Sequence, residues 1–99
     1  MTKLWGGNYD AEPDRLFWEF NRSFPFDRRL IREEIAASRA YALALGKCRA
    51  IPEKDAAKLE RGLAKVLAKY ESEPAYADID VEDVHSFVET RLEEEIGPL

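Results

Sequence analysis

Apolar residues recur at intervals of three and four through most of this 99-residue sequence, and that spacing marks one face of an α-helix. The clearest stretch runs from Pro52, which fits a first helical turn, to about Glu73; its apolar face is formed by Ala56, Leu59, Leu63, Val66, Leu67 and Tyr70. A second stretch begins at Asp80 as N-cap and stops at Gly97-Pro98, and its apolar residues are Val84, Val88, Leu92 and Ile96. No segment shows a strand pattern of useful length. The sequence therefore predicts an all-α chain.

Two more helices are predicted upstream. Asp27 can cap a long helix to about Lys47, whose apolar stripe comprises Ile31, Ile35, Ala42 and Leu45 with Ser38 between them, widened by Leu30, Ala37 and Tyr41. A shorter helix is predicted from Pro13 to Asn21, capped by Asp10 or Glu12, with Leu16, Phe17 and Phe20 turned inward. Pro25 interrupts the pattern at 23–26, residues 74–80 read as a loop, and Gly6-Gly7 make 1–9 an irregular arm. This gives about four helices plus an N-terminal arm, in one domain spanning 1–99.

The charge and the cysteine content exclude some classes of function. The net charge of -5 argues against a nucleic-acid partner, because phosphate binding needs a basic face. The single cysteine, Cys48, cannot form an internal disulfide, which favours a reducing compartment. No window approaches the apolar length of a signal peptide or a membrane helix. We therefore expect a cytoplasmic protein with no membrane partner.

Metal and phosphate sites find little support in the residue spacing. The only histidine, His85, is distant in sequence from Cys48, so no metal-ligand cluster is predicted. Gly6-Gly7 is too short for a phosphate-binding loop and leads into no Lys-Ser or Lys-Thr pair.

Two clusters of polar residues could instead form a binding site. Residues 82–86 (Glu-Asp-Val-His-Ser) open the last predicted helix, where free amide hydrogens and the helix dipole suit a carboxylate ligand. They could equally be first-turn acids with a surface or packed histidine. Residues 20–23 (Phe-Asn-Arg-Ser) end the first helix, where Asn21 and Ser23 could bind a polar ligand or satisfy the turn. From the residues alone, the structural alternatives are favoured in both clusters.

Taken in order, four segments resemble the argininosuccinate lyase family. Residues 3–9 (Lys-Leu-Trp-Gly-Gly-Asn-Tyr) are similar to that family's opening, and residues 20–30 to its Phe-Asn-x-Ser and Asp-x-x-Leu stretch. Residues 34–40 resemble its Asp-Ile-x-Gly-Ser-x-Ala, and 82–97 its Glu-Asp-Ile-His segment with the following helix. The likeness covers the whole chain in register, which makes it specific.

The resemblance implies a fold, a reaction and roles for particular residues. The fold would be the N-terminal segment of a fumarase/aspartase-like helical-bundle subunit that forms homotetramers. The reaction would be reversible β-elimination of argininosuccinate to arginine and fumarate, in arginine biosynthesis, without metal or organic cofactor. Ser23 matches the family's substrate-binding serine. Asp83 and His85, and with them Trp5, Gly6, Gly7 and Asn21, match positions near the site with positioning roles.

The chain also departs from the family pattern. Asn8 stands where the family has arginine, Ala37 replaces a helix glycine, and Arg49 sits where a helix-ending glycine is usual. The family's general base and acid lie in segments that would follow Leu99. The chain stops before those segments and before the central helical bundle. We therefore expect the 99 residues alone to be inactive. The alternatives are a non-catalytic structural relative and a helical interaction module of the same fold.

Overall fold

The computed structural model describes residues 15–97, and within that range every regular element is helical. The all-α prediction is therefore confirmed for this part of the chain. In chain order the helices are α1 (Arg15–Asn21), α2 (Phe24–Asp27), α3 (Ile31–Lys47), α4 (Glu53–Ser72) and α5 (Val84–Ile96). Single 3-10 turns cover Arg28–Leu30 and Pro74–Ala77. The predicted arm at 1–9 lies outside the described residues.

The three long helices, α3, α4 and α5, pack against one another around a single core. Their most deeply buried side chains are Ile31, Ile35, Leu63, Val66, Val84, Phe87 and Val88. Most of these residues belong to the predicted stripes, because an amphipathic helix gains about 1.5–3 kcal/mol for each large apolar side chain it buries. Phe87 was not predicted, yet it is fully buried and stacks on Phe24 with ring centroids 5.4 Å apart.

Two glycines lie where neighbouring helices leave no room for a side chain. A Cβ atom added to Gly46 of α3 would lie 2.7 Å from Cβ of Ala56 on α4. One added to Gly62 of α4 would lie 2.6 Å from the Ile96 side chain on α5. Contacts that short do not occur between carbon atoms, so each glycine sets the spacing between two helices.

The turn between α3 and α4 forms a Schellman motif. The Ala50 amide donates to the Leu45 carbonyl at 2.9 Å and the Arg49 amide to the Gly46 carbonyl at 3.2 Å, which is the bonding pattern of that motif. Its left-handed position is occupied by Arg49, with φ of 62°. Glycine takes this conformation without steric cost, whereas a residue with a Cβ does not.

Several predicted helix starts were wrong. Asp27 does not cap α3; the chain first makes α2 and a 3-10 turn, and α3 begins at Ile31 after Leu30. Asp80 does not cap α5; Asp83 does, accepting a hydrogen bond from the Ser86 amide at 2.8 Å. In both places an acid lay upstream of an apolar stripe, and a non-helical or 3-10 segment lay between them. The predicted helix ends at Asn21, Lys47 and Gly97 agree with the structure.

The predicted inward face of α1 was also wrong. Leu16, Phe17 and Phe20 are 80%, 53% and 87% exposed, whereas Trp18 is buried. Ala37 and Tyr41 on α3, and Leu30 just before it, do not widen the buried stripe but are exposed. Helical spacing makes residues neighbours on one face without fixing which face meets the core, and α1 has only seven residues with which to settle the choice.

The loop from Glu73 to Asp83 closes the core at the end of α4. The part at 74–80 was predicted as a loop, and it contains the 3-10 turn Pro74–Ala77. Its apolar residues Ala77 and Val81 are buried against the same core as α3 and α5. The Tyr76 ring meets Phe87 edge-on at 5.9 Å and carries the Arg91 guanidinium 4.3 Å from its centroid.

Candidate functional site

The two polar clusters singled out from the sequence meet in space. The backbone amides of Ser23 and Phe24 both donate to the Glu82 carbonyl, at 2.9 and 3.1 Å. The Arg22 side chain reinforces the junction, since its Nε donates to the Val81 carbonyl at 2.9 Å and its guanidinium lies 3.4 Å from the Asp80 carboxylate. The turn after α1 is thereby fixed to the segment that leads into α5.

Ser23 lies at this junction with an exposed side chain. Its hydroxyl donates to Oδ2 of Asp27 at 3.0 Å, one turn further along the chain. A serine hydroxyl has one hydrogen to donate and two lone pairs to accept, so the contact with Asp27 leaves the acceptor side of Ser23 open. The other carboxylate oxygen of Asp27, Oδ1, is buried and has no hydrogen-bond partner among residues 15–97.

His85 lies in the first turn of α5 and pairs with α3. Its Nδ1 is 2.7 Å from Oε1 of Glu34. The hydrogen bond to Glu34 raises the pKa of His85, and the negative charges of Glu34, Asp83 and Asp27 raise it further, against a smaller opposing effect of burial. The side chain is 67% exposed, whereas that of Glu34 is 22% exposed.

Asp83 also lies in this region, where its side chain has a structural role. Its side chain caps α5, which satisfies one of the amide hydrogens that a helix start leaves free. Its charge still acts on His85. We call Ser23, Asp27, Glu34, Asp83 and His85 the acidic site.

Asn21 is the remaining predicted site residue that lies within the described range. Asn21 donates its side-chain amide to the Phe17 carbonyl at 2.9 Å, as a residue that satisfies the end of a helix does. Trp5, Gly6 and Gly7 lie outside the described residues. Among residues 15–97 no group of three or more His, Cys, Asp and Glu side chains could hold a metal ion, and the Cys48 thiol is free and exposed.

Two members of the acidic site, Asp27 and Glu34, were not predicted. Asp27 was interpreted as a cap, although its spacing of four from Ser23 is the spacing of neighbours on a helical turn. Glu34 gave no local signal, because it is 51 residues from His85 in sequence. The arrangement offers hydroxyl and carboxylate oxygens beside one titratable imidazole, which suits hydrogen bonding to nitrogen-bearing groups and exchange of a proton near neutral pH.

No helix in the described range is both long enough and apolar enough to span a bilayer. No family model matches the chain.

Several known proteins that are similar to this chain are argininosuccinate lyases. The argininosuccinate lyase of Bacillus licheniformis is 41% identical over 99 residues, which is all of this chain and 22% of that protein. The argininosuccinate lyase of Pelotomaculum thermopropionicum is 43% identical over 97 residues, and that of Bacillus subtilis 38% over 99. The chain spans about a fifth of the length of these relatives.

Proposed function

Because this chain belongs by sequence to the argininosuccinate lyase family, we propose that it serves as the N-terminal helical segment of a subunit with that activity. The reaction is the reversible β-elimination of argininosuccinate to arginine and fumarate, a step of arginine biosynthesis. Whole-chain similarity to relatives about five times as long is the observation that carries the proposal.

The acidic site is the part of this chain that we assign to the substrate. In β-elimination a base removes a proton from the carbon next to a carboxylate, and an acid protonates the departing nitrogen. Fixed hydrogen-bond donors must stabilise the charge that develops on the carboxylate. The acidic site offers carboxylate and hydroxyl oxygens that can accept hydrogen bonds, so we place it against the nitrogen-bearing part of argininosuccinate, with Ser23 as its substrate-binding residue.

The other components of the reaction belong to polypeptide beyond these residues. The general base, the general acid and the donors for the substrate carboxylate would be supplied by the segments that make up the rest of the related lyases. We propose a cytoplasmic homotetramer that needs no metal or organic cofactor and has neither nucleic-acid nor membrane partners. Trp5, Gly6, Gly7, Asn21, Asp83 and His85 are assigned positioning roles near the substrate.

A first consequence concerns the 99 residues taken alone. They hold neither the base nor the acid of the proposed mechanism, so we expect the purified chain to release no fumarate from argininosuccinate. Absorbance of the fumarate double bond gives a direct assay. Turnover by the isolated chain would overturn this assignment of roles and would place a complete catalytic site within residues 1–99.

The proposal as a whole can be tested with a segment exchange. Residues 1–99 would replace the matching segment of the Bacillus licheniformis enzyme, to which they are 41% identical, and the soluble chimera would be assayed. We expect argininosuccinate cleavage within about tenfold of the parent enzyme. A folded, assembled chimera without activity would favour a structural relative or an interaction module. Sequencing past the codon for Leu99 gives an independent test: a continuing reading frame with lyase motifs supports the proposal, and an immediate stop codon contradicts it.

A further inference from the structure

We infer that Glu34 is a positioning residue for His85: it holds the imidazole with the proton on Nδ1, so that Nε2 is the nitrogen that gains and loses a proton at the acidic site. The consequence for catalysis rests on the proposed function. The geometry of the pair does not, and it can be tested directly.

The distance establishes a hydrogen bond between His85 and Glu34, and the chemistry of the carboxylate determines which atom donates. His85 Nδ1 and Glu34 Oε1 are 2.7 Å apart, which is the length of a strong, charge-assisted hydrogen bond. An ionised carboxylate can only accept, so the proton of this bond sits on Nδ1. The bond that one ring nitrogen makes decides the state of the other. In the neutral ring, therefore, Nε2 carries the lone pair.

Glu34 and His85 both lie on helices that are packed against the core. Glu34 lies in the first turn of α3, whose neighbours Ile31 and Ile35 are fully buried, and His85 lies in the first turn of α5 between the buried Val84 and Phe87. Packing of that kind holds both backbones in place. With Nδ1 turned toward α3 and the ring 67% exposed, Nε2 is left on the open side of the site.

The surrounding charges explain why Glu34 controls the imidazole. His85 sits at the amino end of α5, where the helix dipole disfavours a cation. Within the described residues, the charges that act on its pKa are those of Glu34 on α3, the cap Asp83 and Asp27 on α2, and all three are acids. Of these three, Glu34 is the one hydrogen-bonded to the ring, and its effect on the His85 pKa is the largest. Removing it should leave the helix dipole opposed by two weaker charges.

The chain has a single histidine, so the ¹⁵N signals of its ring nitrogens can be followed through a pH titration without ambiguity. In the 99-residue protein we expect Nδ1 to remain protonated as pH rises while Nε2 takes the lone-pair shift. Glu34→Gln keeps an acceptor but loses the charge, so the midpoint should fall with the tautomer retained. Glu34→Ala should lower the midpoint and also transfer the remaining proton to Nε2.

Glu33→Gln is the matched control. It removes the same charge from the adjacent, exposed residue of α3, which points about 100° away around the helix, and it should change neither the midpoint nor the tautomer. A wild-type ring that keeps its last proton on Nε2 would overturn the inference, as would Glu34 variants that titrate like the wild type. If Glu34→Ala loses the dispersed amide spectrum of a folded chain, the midpoint of Glu34→Gln decides.

The same variants in the lyase chimera separate this inference from the proposed function. Glu34→Ala should lower kcat/KM and shift its pH profile, and Glu34→Asp should restore most of both. An inactive parent chimera beside the expected ring-nitrogen result would remove the proposed lyase function and leave the pairing intact. An active chimera whose pH profile ignores Glu34→Ala would remove the positioning role.

Discussion

The bundle of α3, α4 and α5 differs from the hook that precedes it, which we define as α1 and α2 with the turn between them. In the bundle, the long stripes of apolar residues meet one another, and most residues predicted to be core are buried or half-buried. In the hook, Phe24 is 1% exposed, whereas Phe20 and Phe26 are 87% and 78% exposed. The same residue type has opposite environments within six positions.

The difference lies in what holds each region. The bundle is stabilised by area of apolar contact, which grows with helix length. The hook is held by the buried side chains of Trp18 and Phe24 and by a few hydrogen bonds to the backbone of residues 81–82. It is also the hook that carries Ser23 to the start of α5, so the candidate site depends on the region with the weaker attachment.

The largest contrast is expected from two phenylalanine substitutions. Phe87→Ala removes a fully buried ring from the bundle and should lower the free energy of unfolding by about 3–5 kcal/mol. Phe20→Ala removes an exposed ring from the hook and should change it by less than about 0.5 kcal/mol. Urea denaturation of both variants measures the difference. Equal losses would mean that the hook is packed as firmly as the bundle.

A smaller effect is expected where α3 and α4 touch. Gly46→Ala places a methyl group 2.7 Å from Cβ of Ala56, and because neither atom can rotate away, the helices must separate. We expect a loss of about 1–3 kcal/mol in thermal or urea unfolding. Leu43→Ala, at a half-exposed position of the same helix, is the control. A stabilised Gly46→Ala variant would show that helix propensity outweighs the contact.

We expect the hook to open without unfolding of the bundle when its contacts with residues 80–81 are removed. Arg22→Ala removes the hydrogen bond to the Val81 carbonyl and the ion pair with Asp80, worth about 1–2 kcal/mol for a partly buried charged donor. Amide hydrogen exchange should accelerate at Ser23 and Phe24, about tenfold, while the amides of α4 keep their rates. Uniform acceleration through both regions would contradict a separately attached hook.

The smallest effect, and one of opposite sign, is expected in the turn between α3 and α4. Arg49 adopts a left-handed conformation with φ of 62°, so Arg49→Gly should stabilise the chain by about 0.5–1 kcal/mol. Cys48→Gly, where φ is -86°, should bring no such gain. Melting temperatures of the two variants give the comparison.

Helices whose structure depends on local periodicity were predicted correctly. The helix over 52–73 was predicted to within one residue at each end, and the stripe of α5 correctly placed Val84 and Val88 in the core. Arg49 was noted as standing where the resembling family has a helix-ending glycine, and the structure shows a left-handed conformation at this position. Helix ends were easier than helix starts, because Gly97 stops a helix whatever surrounds it.

Features that depend on contacts between residues far apart in sequence were not predicted. Nothing local separates Phe24 from Phe20 or Phe26, since the choice depends on stacking against Phe87. Asp80 and Asp83 are equivalent as caps in sequence, and only the path of the loop selects Asp83. For the candidate site, the resemblance predicted Ser23 and His85, whereas the contact of Glu34 with His85 joins two helices and has no local signal in the sequence.

The most direct test of the proposed role of Ser23 in substrate binding is the effect of Ser23→Ala on the activity of the lyase chimera. Ser72→Ala, which changes an exposed serine at the end of α4, is the matched control. Loss of one hydrogen bond to the substrate should lower kcat/KM by about 10- to 100-fold, while Ser72→Ala and the assembly state remain as in the parent. If both variants cleave argininosuccinate at the rate of the parent chimera, the hook does not carry a substrate-binding residue and the acidic site is a structural junction.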